Sequence, residues 1–186
     1  MQDYHIIRSR RRTVSLEVTK DADIIVRVPR RMSDDEVAHI VDARREWLKN
    51  HVQRQQSRHR ELEQVAPLSL REIESLRAAA RVDFAARTRH HARELGLAYG
   101  RVTIRLQKTR WGSCSNRGNL NFNCLLMLAP ETVRDYVVIH ELCHLMEMNH
   151  SPRFWAKVEM ACPDYRSARE WLKNYGDALM ARAFPV

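Results

Sequence analysis

The sequence lacks the cysteine spacing that is typical of a structural zinc site. It contains four cysteines, and no two of them form a CxxC pair. We therefore expect them to be reduced side chains that mainly pack in the interior. Glycine is also scarce, with five residues in 186, and none of them forms a glycine-rich phosphate-binding loop. The cysteines are Cys114, Cys124, Cys143 and Cys162.

Long apolar runs are missing as well. No stretch approaches the ~18 apolar residues of a transmembrane helix. The N-terminal segment MQDYHIIRSRRR lacks the apolar core of a signal peptide. The sequence thus predicts a cytoplasmic protein without membrane contact. Because 44% of the residues are hydrophobic, the chain can bury a core without disulfide bonds.

Acidic residues are the minority among the charged ones. The chain has 32 lysines and arginines against 23 acidic residues, which gives a net charge of +9 and a pI near 9.9. Such a balance suits an anionic partner such as a nucleotide or a nucleic acid. The basic residues are spread along the chain, and their densest run, Arg10 to Arg12, falls at a predicted turn. Charge alone therefore admits a nucleotide or nucleic-acid partner but does not predict one.

Residues 1–66 are predicted to form an N-terminal appendage of strands and helix. Alternating apolar and polar residues in 13–18 and 24–28 indicate strands. Ser33 and Glu36 have the spacing of a capping box, so a helix should begin there. The polar stretch that follows this helix either extends it or forms a connection.

Residues 67–186 are predicted to form the main domain. A second capping box at Ser69 opens a long helix that should stop at Gly96. Alternation then predicts two strands, 101–107 and 120–124, which we expect to pair in antiparallel fashion. Proline and N-cap residues place the starts of three further helices near Pro130, Ser151 and Tyr165.

The stretch VVIHELCHLMEMNH, residues 137–150, carries the chemistry. His140 and His144 are four residues apart, which places both imidazoles on one face of a helix, where they can hold one zinc ion. Glu141 lies about 100° around the helix from His140 and can take a proton from an attacking water. This HExxH pattern is the signature of zincin metallopeptidases.

A catalytic zinc ion needs a third protein ligand besides the two histidines. His150 follows His140 by ten residues, the separation found in the metzincin pattern HExxHxxGxxH. Glu147 stands where that pattern has its glycine, so we expect Asn149 to supply the turn in a left-handed conformation. The Glu147 carboxylate is the alternative third ligand, as in gluzincin-type sites.

Several longer motifs resemble those of a known family in their order and spacing. The resemblance is to the YgjP-like metallopeptidases and, more distantly, to SprT-like proteases, which act on proteins bound to DNA. It covers most of the chain and is strongest from 101 to 175. The motifs are RWGSCS at 110–115, LNFN at 120–123, YVVIHELCHL at 136–145, NHS at 149–151 and FW at 154–155.

The resemblance implies a zincin-like α+β fold, in which small antiparallel sheets and flanking helices surround the HExxH helix. It also implies a Zn²⁺ ion held by His140, His144 and His150, with Glu141 as the catalytic base. The predicted function is a zinc-dependent metallopeptidase that acts on a peptide or protein. Two alternatives are a metal-dependent nucleoside triphosphate pyrophosphatase and a nucleic-acid-associated, SprT-like protease.

Three elements near the HExxH helix have candidate roles. The strand from Asn119 to Cys124 is interpreted either as an edge strand that binds an extended peptide or as a core strand. Trp111 is expected to pack rather than to touch substrate. Tyr165 is a candidate for stabilising the oxyanion.

Overall fold

The structure, a computed structural model, describes residues 3–185, which fall into two compact units. One unit extends to Gln64 and the other comprises Val65–Pro185. The predicted α+β class is confirmed, because the described residues form six α-helices and two three-stranded sheets. No helix among them is both long and apolar enough to cross a membrane.

The N-terminal unit packs one sheet against two helices. The apolar residues of its central strand are buried at alternate positions together with Val37 and Leu48 of the helices. The capping box predicted at Ser33 is present, since the Ser33 hydroxyl accepts from the Glu36 N–H at 3.2 Å. The polar stretch beyond it is helical. The elements are β1 (Tyr4–Ser9), β2 (Ser15–Val18), β3 (Ile24–Pro29), α1 (Asp34–Ala43) and α2 (Arg45–Glu63).

The second unit surrounds another sheet with four helices. The predicted capping box at Ser69 opens its long first helix, and Gly96, at a φ of 64°, follows the end of that helix. The elements are α3 (Leu70–Glu94), β4 (Val102–Arg105), β5 (Gly112–Cys114), β6 (Leu120–Asn123), a 3-10 helix (Cys124–Leu128), α4 (Glu131–Cys143), α5 (Pro152–Ala161) and α6 (Tyr165–Ala183).

Strand pairing differs from the antiparallel sheets expected from the sequence. Each sheet is mixed, with the orders β1-β3-β2 and β4-β6-β5. In the second sheet β4 runs parallel to β6, with Val102 opposite Leu120, and only β5 is antiparallel to β6. A parallel pair needs a long connection. Residues 106–119 supply it, and they contain β5, a short strand that lies between the two strands predicted from the sequence.

The core of the second unit holds α4 in place. Phe84 of α3 stacks on Phe122 of β6, with ring centres 4.8 Å apart, and both side chains are fully buried. Val138 and Leu142 of α4 are equally inaccessible, and burial of such side chains stabilises the fold by about 1.5–3 kcal/mol each. Cys143 is buried in the same core, so its packing role is confirmed.

A buried asparagine positions the segment that leads into β5. The Asn123 amide nitrogen donates to the carbonyls of Gln107 and Arg110, at 2.7 and 2.9 Å, and its amide oxygen accepts from the Leu125 N–H at 3.1 Å. All three partners are main-chain groups. One side chain therefore fixes both the approach to β5 and the start of the 3-10 helix.

Candidate metal centre

The centre is built on the C-terminal end of α4. Pro130 precedes the first residue of this helix, and the apolar side chains of its middle turns pack into the core. His140 lies in the last turn and His144 caps the helix, so their rings lie one turn apart with centres separated by 4.9 Å. The predicted placement of the two histidines on one helix face is therefore present.

The chain leaves α4 through tight right-handed turns. The N–H groups of Leu145 and Met146 donate to the carbonyls of Leu142 and Cys143, each at 3.0 Å. Asn149 does not adopt the left-handed conformation that we expected, since Ala22 is the only non-glycine residue with positive φ among residues 3–185. Consecutive turns reverse the chain over several residues, so no single residue has to make a sharp corner.

The reversal brings His150 back to the first two histidines. The Nε2 atoms of His150 and His140 lie 3.0 Å apart, and the His150 ring centre is 4.7 Å from that of His144. One nitrogen from each of the three rings lies within 4.8 Å of the others. The Glu147 carboxylate does not belong to this group. The Glu147 main-chain carbonyl instead lies 3.1 Å from Nδ1 of His144.

These three imidazoles fit a zinc ion. Two nitrogens bound to one zinc ion at 2.0–2.1 Å lie about 3.3 Å from each other in a tetrahedral site, close to the separation between His140 and His150. Because a carbonyl can only accept, Nδ1 of His144 carries the proton, which leaves its Nε2 as the ligand atom. The assignment of all three residues as metal ligands stays a prediction.

An aromatic side chain fixes the three rings. Phe154, in the first turn of α5, is fully buried, and its ring centre lies 4.9, 4.5 and 4.8 Å from those of His140, His144 and His150. Ser151 caps this helix by accepting from the Phe154 N–H at 3.3 Å, which sets the position of the ring. The sequence motif FW supplied Phe154, but its contact with every histidine was not predicted.

The surroundings keep His140 neutral. Burial lowers its pKa to about 3, and the nearby His144, His150 and Arg169 act in the same direction. Burial also lowers the pKa of His144. Neutral imidazole is the form that binds metal. Two of the three candidate ligands are thus in the metal-binding form at neutral pH.

Glu141 lies beside the histidines in a dry environment. Its side chain is only 5% exposed, and burial raises its pKa to about 8. It packs against Gly112 of β5, where a Cβ atom would lie 2.5 Å from its Oε1. A glycine at this position is therefore required for the observed carboxylate position, and the sequence signal for it was the WGSC motif.

The edge strand beside the site helix is β5 rather than β6. Because β6 lies between β4 and β5 and buries Leu120 and Phe122, the core-strand interpretation of residues 119–124 is confirmed. The main-chain groups of Trp111 and Ser115 bond to those of β6 and its flanks. By antiparallel alternation, the N–H and C=O groups of Gly112 and Cys114 point away from β6.

The two aromatic candidates pack in the protein. Trp111 lies against α6, where a Cβ on Gly176 would be 3.1 Å from its ring, so its expected packing role is confirmed. Tyr165 is buried, and its ring stacks on those of Trp155 and Tyr136, with centres 5.4 and 6.4 Å away. A role for Tyr165 in stabilising an oxyanion stays a prediction.

Comparison with known proteins bears on this arrangement. The model of the YgjP-like metallopeptidase domain matches residues 12–75 and 68–175. The chain belongs to the YgjP-like metallopeptidase family. A solved structure, the metallopeptidase zymogen of Pyrococcus abyssi abylysin, is similar with 26% identity and a TM-score of 0.44, over 48% of this chain and 93% of abylysin. None of the curated proteins matches the chain significantly.

Membership confirms the resemblance predicted from the motifs. The matched ranges include every residue of the HExxH stretch and all three histidines. The family is one of metallopeptidases, so this protein belongs among metal-dependent hydrolases of peptides.

Proposed function

We propose that the protein is a zinc peptidase in which His140, His144 and His150 hold the metal and Glu141 is the general base. The observation that carries this proposal is the convergence of three imidazole nitrogens within 4.8 Å of one another, next to a buried carboxylate. When bound, zinc polarises the scissile carbonyl and lowers the pKa of water. Three protein ligands leave a fourth position for that chemistry, which a closed structural site lacks.

Glu141 handles the proton in this proposal. Burial raises the pKa of Glu141 and so makes its carboxylate a stronger base, while the charge of a bound cation would favour the ionised form that accepts a proton from the attacking water and returns it to the leaving amine. Gly112 leaves the space that the carboxylate occupies, because any larger residue would displace it. Proton transfer of this kind contributes about 10²–10⁴-fold to the rate.

The outer edge of β5 positions the peptide. The outward main-chain groups of Gly112 and Cys114 can pair with an extended substrate by strand addition, which fixes its backbone without requiring particular side chains. Gly112 lies against Glu141, so a peptide on this edge passes beside the base.

The first test is the metal content of purified protein by mass spectrometry. The proposal expects about one zinc per chain in wild type and in Glu141→Gln, and a loss of zinc in His150→Ala. Glu147→Gln is the matched control and should retain zinc. Retention in His150→Ala together with loss in Glu147→Gln would instead make Glu147 the third ligand.

The second test is hydrolysis. Wild type should cleave members of a peptide library, and Glu141→Gln, which keeps the metal, should be inactive. Nucleoside triphosphates are tested beside the peptides with the same inactive variant. Cleavage of nucleotides but not of peptides would overturn the peptidase proposal.

A further inference from the structure

Two arginines on α6 stack on aromatic rings in the same way but differ in their ion pairs. The guanidinium carbon of Arg166 lies 4.9 Å from the centre of the Tyr165 ring, and that of Arg169 lies 4.9 Å from the centre of the Trp155 ring. Arg166 also donates to Glu159 at 2.6 Å. Arg169 makes no ion pair with a carboxylate among residues 3–185.

Arg169 contacts an aromatic ring that adjoins the metal centre. The Trp155 ring beneath it is stacked on His150, with ring centres 5.7 Å apart, and lies 5.8 Å from His140. The same indole ring therefore contacts Arg169 and two of the three histidines.

The stacked geometry prepares the guanidinium for a ligand. Contact of the guanidinium with the Trp155 ring restrains the long Arg169 side chain, so less conformational entropy is lost when a ligand binds. The edge of the planar group, with its N–H donors, stays available because Arg169 is exposed. Those donors match the two oxygens of a carboxylate.

We propose that Arg169 is a substrate-binding residue that recognises a carboxylate close to the scissile bond. This inference rests on the proposed peptidase function. An extended peptide advances about 3.3 Å per residue, so the carboxylate belongs to a residue within about three positions of the cleaved bond. Both an acidic side chain and a free C-terminus offer this group.

Binding tests the proposal without hydrolysis. Four matched peptides carry either glutamate or glutamine near the centre and end in either a free acid or an amide. Their affinities are measured by fluorescence anisotropy on Glu141→Gln protein loaded with zinc. We expect one of the two carboxylates to raise affinity about tenfold, because charge-assisted bonds to arginine are strong but this one is exposed. A difference between the glutamate and glutamine peptides identifies an acidic side chain as the recognised group, and a difference between the acid and amide peptides identifies the C-terminus.

Variants of the two arginines then show which residue is responsible for the preference for a carboxylate. Arg169→Gln should abolish it, and Arg169→Lys should restore it only in part, since lysine lacks the planar donor pair. Arg166→Gln is the matched control and should keep the preference, because its charge is already paired. In a peptidase assay, Arg169→Gln should raise KM for the acidic peptide and leave kcat unchanged.

The outcomes separate the two proposals. A preference that is absent, that survives Arg169→Gln or that is lost equally in Arg166→Gln overturns the role of Arg169. Wild-type protein that binds acidic peptides through Arg169 but cleaves none overturns the peptidase function and leaves the carboxylate site standing. Unchanged zinc content and thermal stability in Arg169→Gln show that the loss of binding is not a loss of folding.

Discussion

Gly112 and Glu141 are in direct contact across the space between β5 and α4. A Cβ atom at position 112 would lie 2.5 Å from Oε1 and 2.8 Å from Cγ of Glu141, distances that no side chain tolerates. Gly112→Ala should therefore displace the base and lower kcat about 100-fold, because small misplacements of catalytic groups have effects of this size. Steady-state kinetics on a cleaved peptide measures the change.

The control for this prediction lies in the same strand. The Ser113 side chain lies on the opposite face of β5, where its hydroxyl accepts from the Asn121 amide at 3.1 Å. Ser113→Ala should leave kcat within a few-fold of wild type. Both variants should keep their zinc. A fully active Gly112→Ala would show that the carboxylate does not need its observed position.

Phe154 should influence metal affinity without being a ligand. Its ring contacts all three imidazoles and so orients them, and replacing groups that orient metal ligands, mostly hydrogen-bond partners, typically costs about 10–100-fold in metal affinity. Phe154→Leu is expected to weaken zinc binding at least tenfold in competition with a chromophoric chelator. Phe84→Leu makes the same change at an equally buried position away from the histidines. It should cost stability but leave zinc affinity intact, and equal losses in both variants would refute a specific effect of Phe154.

Asn123→Asp should destabilise the second unit strongly. The replacement removes two donated hydrogen bonds and sets a buried carboxylate against the carbonyls of Gln107 and Arg110. Buried polar groups that are left without hydrogen-bond partners in this way lower the free energy of unfolding by about 3 kcal/mol or more in total. Urea denaturation followed by tryptophan fluorescence measures the loss. Asn121→Asp, at a half-buried position of the same strand, is expected to cost less than about 1 kcal/mol.

An ion-pair cluster between α3 and α4 should make stability depend on pH. His91 of α3 contacts Asp135 of α4 and Glu94, each at 3.1 Å, and Arg87 donates to Asp135 at 2.6 Å. The bond to Asp135 raises the pKa of His91 against the opposing effect of burial. Burial acts to raise the pKa of Asp135, but His91 and Arg87 outweigh it and lower that pKa.

The sign of the pH effect follows from these shifts. Stability from a raised histidine pKa is complete below its unfolded value of 6.5 and is lost as pH rises through the folded pKa. Stability from a lowered aspartate pKa is present above 3.8 and is lost as pH falls through the folded pKa. The cluster therefore contributes most between about pH 4 and 6.5.

His91→Asn should reveal this contribution. We expect it to cost about 1 kcal/mol at pH 5.5 and clearly less at pH 8.5, in urea denaturation of metal-free protein. In an Asp135→Asn background the difference between the two pH values should disappear. A cost that is the same at both pH values would mean that the His91 charge does not contribute.

The local parts of this fold could be predicted because short sequence patterns determine them. Both capping boxes mark helix starts, and Gly96 marks the end of α3, since each depends on hydrogen bonds or backbone angles within a few residues. The convergence of His140 and His144 follows from helical periodicity alone. That of His150 was suggested by its spacing, although the turn that brings it back was assigned to the wrong conformation.

The other features depend on contacts between distant residues. Strand β5 is too short to show alternation, so β4 and β6 were expected to pair as neighbours along the chain. The need for glycine at 112 comes from a side chain in another element. The position of Arg169 over Trp155 depends on how α5 packs against α6, which no pattern in the sequence of α6 reports.

The order of strands in each sheet has a consequence for synthesis of the chain. The central strand is the last of its three to be made, because β3 separates β1 from β2 and β6 separates β4 from β5. No native strand pair exists in either sheet until that last strand has left the ribosome. The antiparallel pair of β5 and β6 then has the shorter loop to close, so the hairpin forms ahead of the parallel pairing with β4. The strand that contacts Glu141, β5, thus pairs with the segment that follows it in the growing chain. Strand β4 joins the edge of this existing pair afterwards.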